Sequence, residues 1–447
     1  MTTMVRRLAE RLVAVEPGEL APAVLSAAYF FCLLFGYFML RPLRDAMGLA
    51  GGVDALRLLF LGTLVVMLVA NLVFAAVASR VSRRVFVPLV YGFSVVCLVG
   101  FLVAFLVLGD QKSETVGNFF YVWLSVFNLM ATTVFWGFMA DIFTREQSGR
   151  LFGFIAVGGT AGAICGSAWT GFLATAIGTT GLFAGASVLI LMAGGVALVL
   201  DAIATRRRMG SPKHALAHMP LGGTSWQGIV DVMRSPYLLG IAGYVAAFTI
   251  LSTLLYFEKA RIVEAFTEGT EARAQVMAGI ELGGQVLTVL LQVFLTGRLL
   301  RRFGVGALLA IVPVVTIIGF VGLAAAPVLL VLGVFEASRR ACHYALSKPA
   351  RETLFTVVPR ADKYKAKGII DTFVYRGGDT VGTVADAGLV IVGLAAAWLA
   401  VPLGVGALLL GVWLGNKEEE GLPELDDTNP APTPGAAPMA SPAGGNV

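Results

Sequence analysis

Twelve apolar runs, each about as long as a helix needs to cross a bilayer, decide most of what this chain can become. They lie near 22–42, 55–78, 85–108, 117–140, 151–177, 179–202, 236–257, 274–296, 305–325, 327–347, 368–394 and 396–415, with short charged connectors between them. A backbone in hydrocarbon has no water to bond, so each run must satisfy its own N–H and C=O groups, and an α-helix does that within one segment. The expected fold is therefore all-α: a polytopic membrane protein of about twelve transmembrane helices. Composition agrees, since 57% of the 447 residues are hydrophobic and only 14% charged, against about a quarter charged in soluble proteins. The first run follows a polar stretch and ends in Arg41-Pro42 without a small-residue cleavage site, so it reads as a retained helix rather than a signal peptide.

The net charge of +5 invites a nucleic-acid reading, but the positions of the basic residues answer better to the positive-inside rule. Arg6, Arg7 and Arg11 precede the first run; Arg80, Arg83 and Arg84 follow the second, and Arg145 and Arg150 the fourth. Arg206, Arg207, Arg208, Lys213 and Arg234 follow the sixth, Arg298, Arg301 and Arg302 the eighth, and Arg360, Lys363, Lys365 and Lys367 the tenth. The alternate connectors are uncharged, mixed or acidic. Both termini are thus expected in the cytoplasm of a bacterial cell, with the chain in its inner membrane, surrounded by lipid and binding no nucleic acid. Arg41 and Arg44 break the pattern, being basic at the far end of the first run.

The chain also repeats itself. Ala78-Ser79-Arg80-Val81-Ser82-Arg83-Arg84 after the second run and Thr296-Gly297-Arg298-Leu299-Leu300-Arg301-Arg302 after the eighth share their arginine spacing, 218 positions apart; Tyr37-Phe38 and Tyr256-Phe257 stand 219 apart. Two matches at nearly one offset indicate duplication. The expected domains are an N-terminal six-helix half (1–202), a cytoplasmic basic linker (203–234), a C-terminal six-helix half (235–416) and a disordered cytoplasmic tail (417–447) whose Pro, Ala, Gly and Asp content cannot bury a core. This parallel six-plus-six order is that of major facilitator transporters, although the turn after the second run lacks the Asp-Arg pair usual in that superfamily.

Ionisable residues inside apolar runs cost at least about 2.5–3.5 kcal/mol at the bilayer centre, so those present need a reason. Thr372, Arg376, Asp379, Thr383 and Asp386 fall on one helical face of the eleventh run. They form either a polar seam sealed by Arg376 and Asp379 or the wall of a cavity; the length of the stripe favours the wall. Glu336, Arg340, His343 and Ser347 share a face of the tenth run, beside Arg339. There Glu336 and Arg340 can neutralise each other at i, i+4 or take part in a gate between helices, and His343 reads as a packing residue more than a proton switch. Glu281 has no cation at helical spacing except Arg273 two turns back. It is expected either to sit unpaired and protonated, as a coupling residue would, or to reach interfacial water. Gly158, Gly162 and Gly166, four residues apart, read as a close helix contact. Cys32, Cys97, Cys165 and Cys342 lie in apolar runs without paired spacing, so neither disulfides nor a metal site are expected.

Three segments carry a further resemblance: Tyr37-Phe38-Met39-Leu40-Arg41-Pro42-Leu43-Arg44-Asp45; Phe135-Trp136-Gly137-Phe138 with Ile142 and Thr144; and Tyr344-Ala345-Leu346-Ser347-Lys348-Pro349-Ala350-Arg351-Glu352 with Pro359, Lys367-Gly368-Ile369-Ile370-Asp371, Arg376 and Gly378. Over about residues 25–415 the chain resembles the nucleotide (ATP/ADP) transporter family of plastids and intracellular bacteria, a divergent major facilitator branch. The resemblance puts the family's basic position after helix 1 on Arg44, its lysine before helix 11 on Lys367 and an acidic residue of helix 8 on Glu281. Two departures weaken a triphosphate substrate. No carboxylate precedes Asp141 in the fourth run, and Gly378-Asp379-Thr380 stands where the family has Gly-Lys-Ser-Gly.

The reading that follows is a monomeric secondary active transporter, without cofactor and not an enzyme, since no Walker, zinc or nucleophile-elbow pattern occurs. It would move an anionic, nucleotide-like or phosphate-bearing small solute by exchange or symport. Arg41, Arg44, Lys348, Arg351, Lys367 and Arg376 are its candidate solute contacts; Asp45, Glu281, Glu336, Arg340, Asp379 and Asp386 are its candidate coupling or gating residues. A proton-coupled carrier of another metabolite or drug is the alternative, and a non-transporting scaffold or sensor a remote one. The topology makes a direct prediction: in a Cys-free background, Thr267→Cys reacts with a membrane-impermeant thiol reagent added to intact cells and Ser211→Cys does not. The reverse labelling would overturn the orientation.

Overall fold

A computed structural model describes residues 16, 18–78, 83–108, 113–208, 232–355, 358, 366–367 and 369–420. These form twelve helices. The first four are α1 (Leu20–Gly48), α2 (Gly52–Ala78), α3 (Arg83–Leu108) and α4 (Ser113–Ile142). The stretch Arg145–Arg208 breaks at Gly178, whose φ of 66° suits glycine, into α5 (145–177) and α6 (179–208). After α7 (Pro236–Phe266), α8 runs from Thr270 through a π turn at Gln292–Thr296 to 303, where Gly304 (φ 72°) turns the chain into α9 (305–325). Helix α10 joins Leu329–Cys342 to Lys348–Leu354 through the π turn His343–Ser347; α11 begins with a third π turn, Ile370–Val374, and continues as Tyr375–Val392; α12 is Ala397–Glu420. Nine helical stretches among the described residues are long and apolar enough to cross a membrane. The longest contains both α5 and α6, and the charged, π-interrupted α10 and α11 complete the twelve.

The helices overrun their apolar cores. The first run ends near residue 42, yet α1 continues through the buried Pro42 to Gly48, so Arg41, Arg44 and Asp45 lie inside the bundle and not in a connector. That is why they escape the positive-inside pattern. Likewise α7 continues past Phe257 to Phe266, capped at its start by the Ser235 hydroxyl accepting from the Leu238 N–H at 3.3 Å. Helix α6 reaches Arg208 and α12 reaches Glu420, which shortens the expected linker and tail; what remains of both, and the Arg80 turn, lies outside the described residues.

One buried core gathers α1, α3, α4, α5 and α6, a second gathers α7, α9, α10, α11 and α12, and a third, with Leu49, Leu56, Tyr121, Leu254 and Phe257, lies across the two groups. The glycine stripe of α5 lies on the backbone of α1. A Cβ at Gly158, Gly162 or Gly166 would collide with the carbonyl of Ala27, Phe31 or Phe35. The same seam recurs between α11 and α7, where Gly378 and Gly382 face the carbonyls of Ala246 and Ile250. These glycines stand 220 positions, and their carbonyls 219 positions, from their counterparts in the first seam. At the third step, where α5 has Gly166, α11 has Asp386.

Ties between the two groups concentrate at the end of the bundle remote from the start of α1 and the end of α12. Arg273 on α8 donates to the Leu49 carbonyl (3.2 Å), Thr179 on α6 to Glu271 on α8 (2.7 Å), and Arg57 on α2 to Asp386 on α11 (2.6 and 2.9 Å). Nearer the middle, Gln285 on α8 donates to Ser167 on α5 (3.2 Å). The seam predicts that Gly162→Leu separates α1 from α5. The variant should reach the membrane, since insertion follows hydrophobicity, but should melt well below wild type in detergent; an unchanged melting temperature would mean the seam relaxes without cost.

Candidate functional site

Between the two groups lies a cavity of about 170 Å³. Its wall is built by helical spacing: Arg41 and Asp45 lie one turn apart on α1; Phe248, Ser252, Tyr256 and Lys259 lie on one face of α7; and Glu336, Arg339, Arg340 and His343 lie on one face of α10. Tyr344 and Tyr375 add aromatic rings. At His343 α10 widens into its π turn, a feature that recurs beside functional sites. The carbonyls released there are taken by the neighbouring π turn of α8, with Thr296 donating to the Ala345 oxygen (2.8 Å) and Gln292 to the Tyr344 oxygen (3.3 Å).

The charges of this wall pair between helices rather than along them. Glu281 is not solitary: its Oε1 accepts from Arg41 Nη1 and forms an ion pair with Arg340 Nη2, each at 2.7 Å. Nor do Glu336 and Arg340 neutralise each other, because Glu336 holds Lys259 of α7 at 3.0 Å. In each case the partner comes from another helix. Asp45 is held by Arg44 at 2.5 and 3.0 Å and by the Tyr256 hydroxyl at 3.3 Å, while Arg44 also reaches Ser125 (3.1 Å) and lies 4.9 Å from the Tyr121 ring centre. Arg339 is different. Its two Nη atoms donate to the Ser252 hydroxyl at 3.1 Å, its guanidinium lies 5.3 Å from the Phe248 ring centre, and among the described residues no carboxylate forms an ion pair with it. Arg339 Nε, Glu336 Oε2 and His343 Nδ1 are buried with no hydrogen-bond partner, and His343 stacks on Phe248 at 4.0 Å.

The polar stripe of α11 is placed otherwise than a cavity wall requires. Thr372 is exposed, Arg376 is partly exposed and reaches Asp379 at 3.4 Å, and Asp379 accepts from Thr253 of α7 at 3.3 Å. Thr383 and Asp386 are buried beyond them. The stripe is a seam against α7, and Tyr375 is the residue of α11 in the cavity wall. Lys348 is exposed beside Tyr344, Arg351 pairs with Asp371 at 3.1 Å, and Lys367 pairs with Glu352. These three lie beyond the cavity, toward the end of the bundle where α1 begins, with Lys348 about 12 Å along α10 from Arg340.

At the opposite end, Asp386, 1% exposed, accepts from Arg57 (2.6 and 2.9 Å) and from Arg261 (2.8 and 3.1 Å), while Asp54 and Glu258 hold the outer sides of those arginines. Sequence reasoning missed Arg57, Lys259, Arg261 and the prominence of Arg339. The first three sit near the ends of apolar runs, where a charge reads as an interfacial anchor; only the overrun of α7 beyond Phe257 turns Lys259 and Arg261 inward. Removing one partner of such a buried network costs about 3–5 kcal/mol. Asp386→Asn should accordingly lower the melting temperature and raise the reactivity of a cysteine placed at Ser252 toward thiol reagent supplied from the Asp386 end. Unchanged reactivity would mean the network does not hold that end closed.

No protein-family model matches the chain, and no curated protein matches it in sequence. Solved structures do match in fold. An auto-inhibited POT family peptide transporter superposes with a TM-score of 0.59 at 14% identity, covering 92% of this chain and 99% of the other. A mutant of the nucleoside transporter NupG gives 0.57 at 14% identity over 89% and 98%. A bacterial homologue of the human lysosomal transporter Spinster gives 0.50 at 14% identity over 90% and 94%. At such identity the likeness is one of fold, and the fold of this chain is that of the major facilitator transporters.

Proposed function

We propose that the chain is a secondary transporter of a small anionic solute, working by alternating access at the cavity between its two six-helix halves. The observation that carries this reading is Arg339: a cation on the cavity wall, held among the described residues by a serine hydroxyl and an aromatic face and by no carboxylate, with Nε unbonded. A buried charge without an ion partner is costly, and an entering anion supplies what is missing. Arg41, Lys259 and Arg340 line the same space, and guanidinium groups offer planar, bidentate contacts to carboxylate or phosphate. Phe248, Tyr256, Tyr344 and Tyr375 would accept a planar ring, which keeps a nucleotide-like solute within the reading. The positions carried over from the nucleotide transporters give it less support, because Arg44 and Lys367 are already engaged by Asp45 and Glu352.

With both termini cytoplasmic, as the Lys/Arg distribution argues, the ties from Arg57 and Arg273 close the outer side, and the solute approaches from the cytoplasm past Lys348, Arg351, Lys367 and Arg376. A proton-coupled carrier remains the second reading, favoured by the unbonded Oε2 of Glu336 at the cavity.

Purified protein should be melted with inorganic phosphate, AMP, ATP or citrate, and the same anions tested for counterflow in liposomes. At least one should raise the melting temperature, and Arg339→Gln should weaken its binding about tenfold or more, the range expected for a charged hydrogen bond. No stabilisation and no counterflow with any of the four would sink the anion reading, while counterflow that requires an imposed proton gradient would favour the second.

A further inference from the structure

The anion reading leaves one interaction without a part. Glu281 stands behind the cavity wall, and a single oxygen of its carboxylate is shared by two arginines that do line it, Arg41 from the first half and Arg340 from the second, at 2.7 Å each. Both contacts are interhelical, since α8 supplies the carboxylate while α1 and α10 supply the cations. Glu281 is 7% exposed, and its neighbour Gln285 ties α8 to Ser167 of α5. The carboxylate therefore sits at a junction of the two halves.

We infer that Glu281 is an internal anion that occupies the Arg41–Arg340 pair in the unloaded transporter and is displaced from it by the solute. This rests on the anion reading of the same cavity and adds a residue that sets affinity without touching solute. A carboxylate and an incoming phosphate or carboxyl group make the same demand on a guanidinium, so they compete for it. The competition has two consequences. Without solute the arginines keep a partner, and the halves remain linked through Glu281. When solute takes the arginines, that link is released in the same step, so loading weakens a tie between the halves. A ligand shifts a conformational equilibrium by its differential affinity for the two states, and the displaced carboxylate supplies such a difference.

A merely structural role for Glu281 predicts the opposite sign. If the carboxylate only holds the arginines in position, its neutralisation disorders them and anion binding weakens. If it competes, neutralisation strengthens binding. The test is Glu281→Gln, which keeps the shape and one acceptor oxygen, together with Glu281→Asp, which keeps the charge and covers the case where the amide folds poorly. Binding of inorganic phosphate, AMP, ATP and citrate is measured by thermal shift and calorimetry on detergent-purified, full-length protein. Glu281→Gln should melt below wild type without ligand, bind at least one of these anions about tenfold more tightly, and recover more of its melting temperature on adding it than wild type gains. Glu281→Asp should keep an affinity closer to wild type. Tighter binding in Glu281→Gln supports the inference. Wild type binding an anion that neither variant binds more tightly overturns it and leaves the anion reading standing; no binding by any of the three proteins overturns both.

Discussion

A charge enclosed by lipid-facing helices is costly without an opposite charge, and in this molecule most such charges find one on another helix. That constraint organises the interior. Asp386 gathers Arg57 and Arg261, Glu281 gathers Arg41 and Arg340, and Glu336 takes Lys259. The first two clusters join the N-terminal six helices to the C-terminal six. Apolar packing in a bilayer offers little preference for one helix arrangement over another, because lipid tails are as apolar as leucine. The ion pairs provide that preference, two clusters at the cavity and the Asp386 cluster at one end of the bundle.

The glycine seams play the complementary part. Close contact of α5 with the backbone of α1, and of α11 with that of α7, fixes helix pairs within a half, where nothing needs to part. Dispersion contacts are many, short-ranged and tolerant of no gap, which suits a rigid body. Charge pairs are few and can be exchanged for other partners, which suits the boundary between the two groups. At the third step of the α11 seam the two devices meet. Asp386 replaces the glycine of the α5 seam, and around it the helix contact gives way to the arginines of α2 and α7.

The helix count, the boundary between the fifth and sixth runs and the glycine seam of α5 were legible in the chain, because each is a local signal: run length or a short spacing repeated. The partners of Glu281, Glu336 and Asp386 were not. Nothing near Glu281 in sequence announces Arg41, 240 positions away, or Arg340, so the carboxylate looked solitary. The stripe on α11 was read correctly as one face but not for what it meets, since periodicity tells which residues share a face and not whether a cavity or a neighbouring helix lies opposite. Arg41 and Arg44 looked anomalous for a reason the sequence concealed: hydropathy falls at the charges, while the helix continues through them to Gly48.

The two halves share a scaffold but not a chemistry. At the displacement that relates the seams, Lys259 of α7 corresponds to Leu40 of α1, Arg41 of α1 to Ala260 of α7, and Glu281 of α8 to Gly62 of α2. The repeat therefore shows in how the glycine seams pack, while the cavity charges are one-sided, mostly on the C-terminal half. The asymmetry has a mechanical consequence. A symmetric set of charges would meet its like across the boundary between the halves, and like charges repel. Placing Glu281 and Asp386 in one half and Arg41 and Arg57 in the other makes the contact between the halves attractive, at the cavity through the first pair and at the end of the bundle through the second.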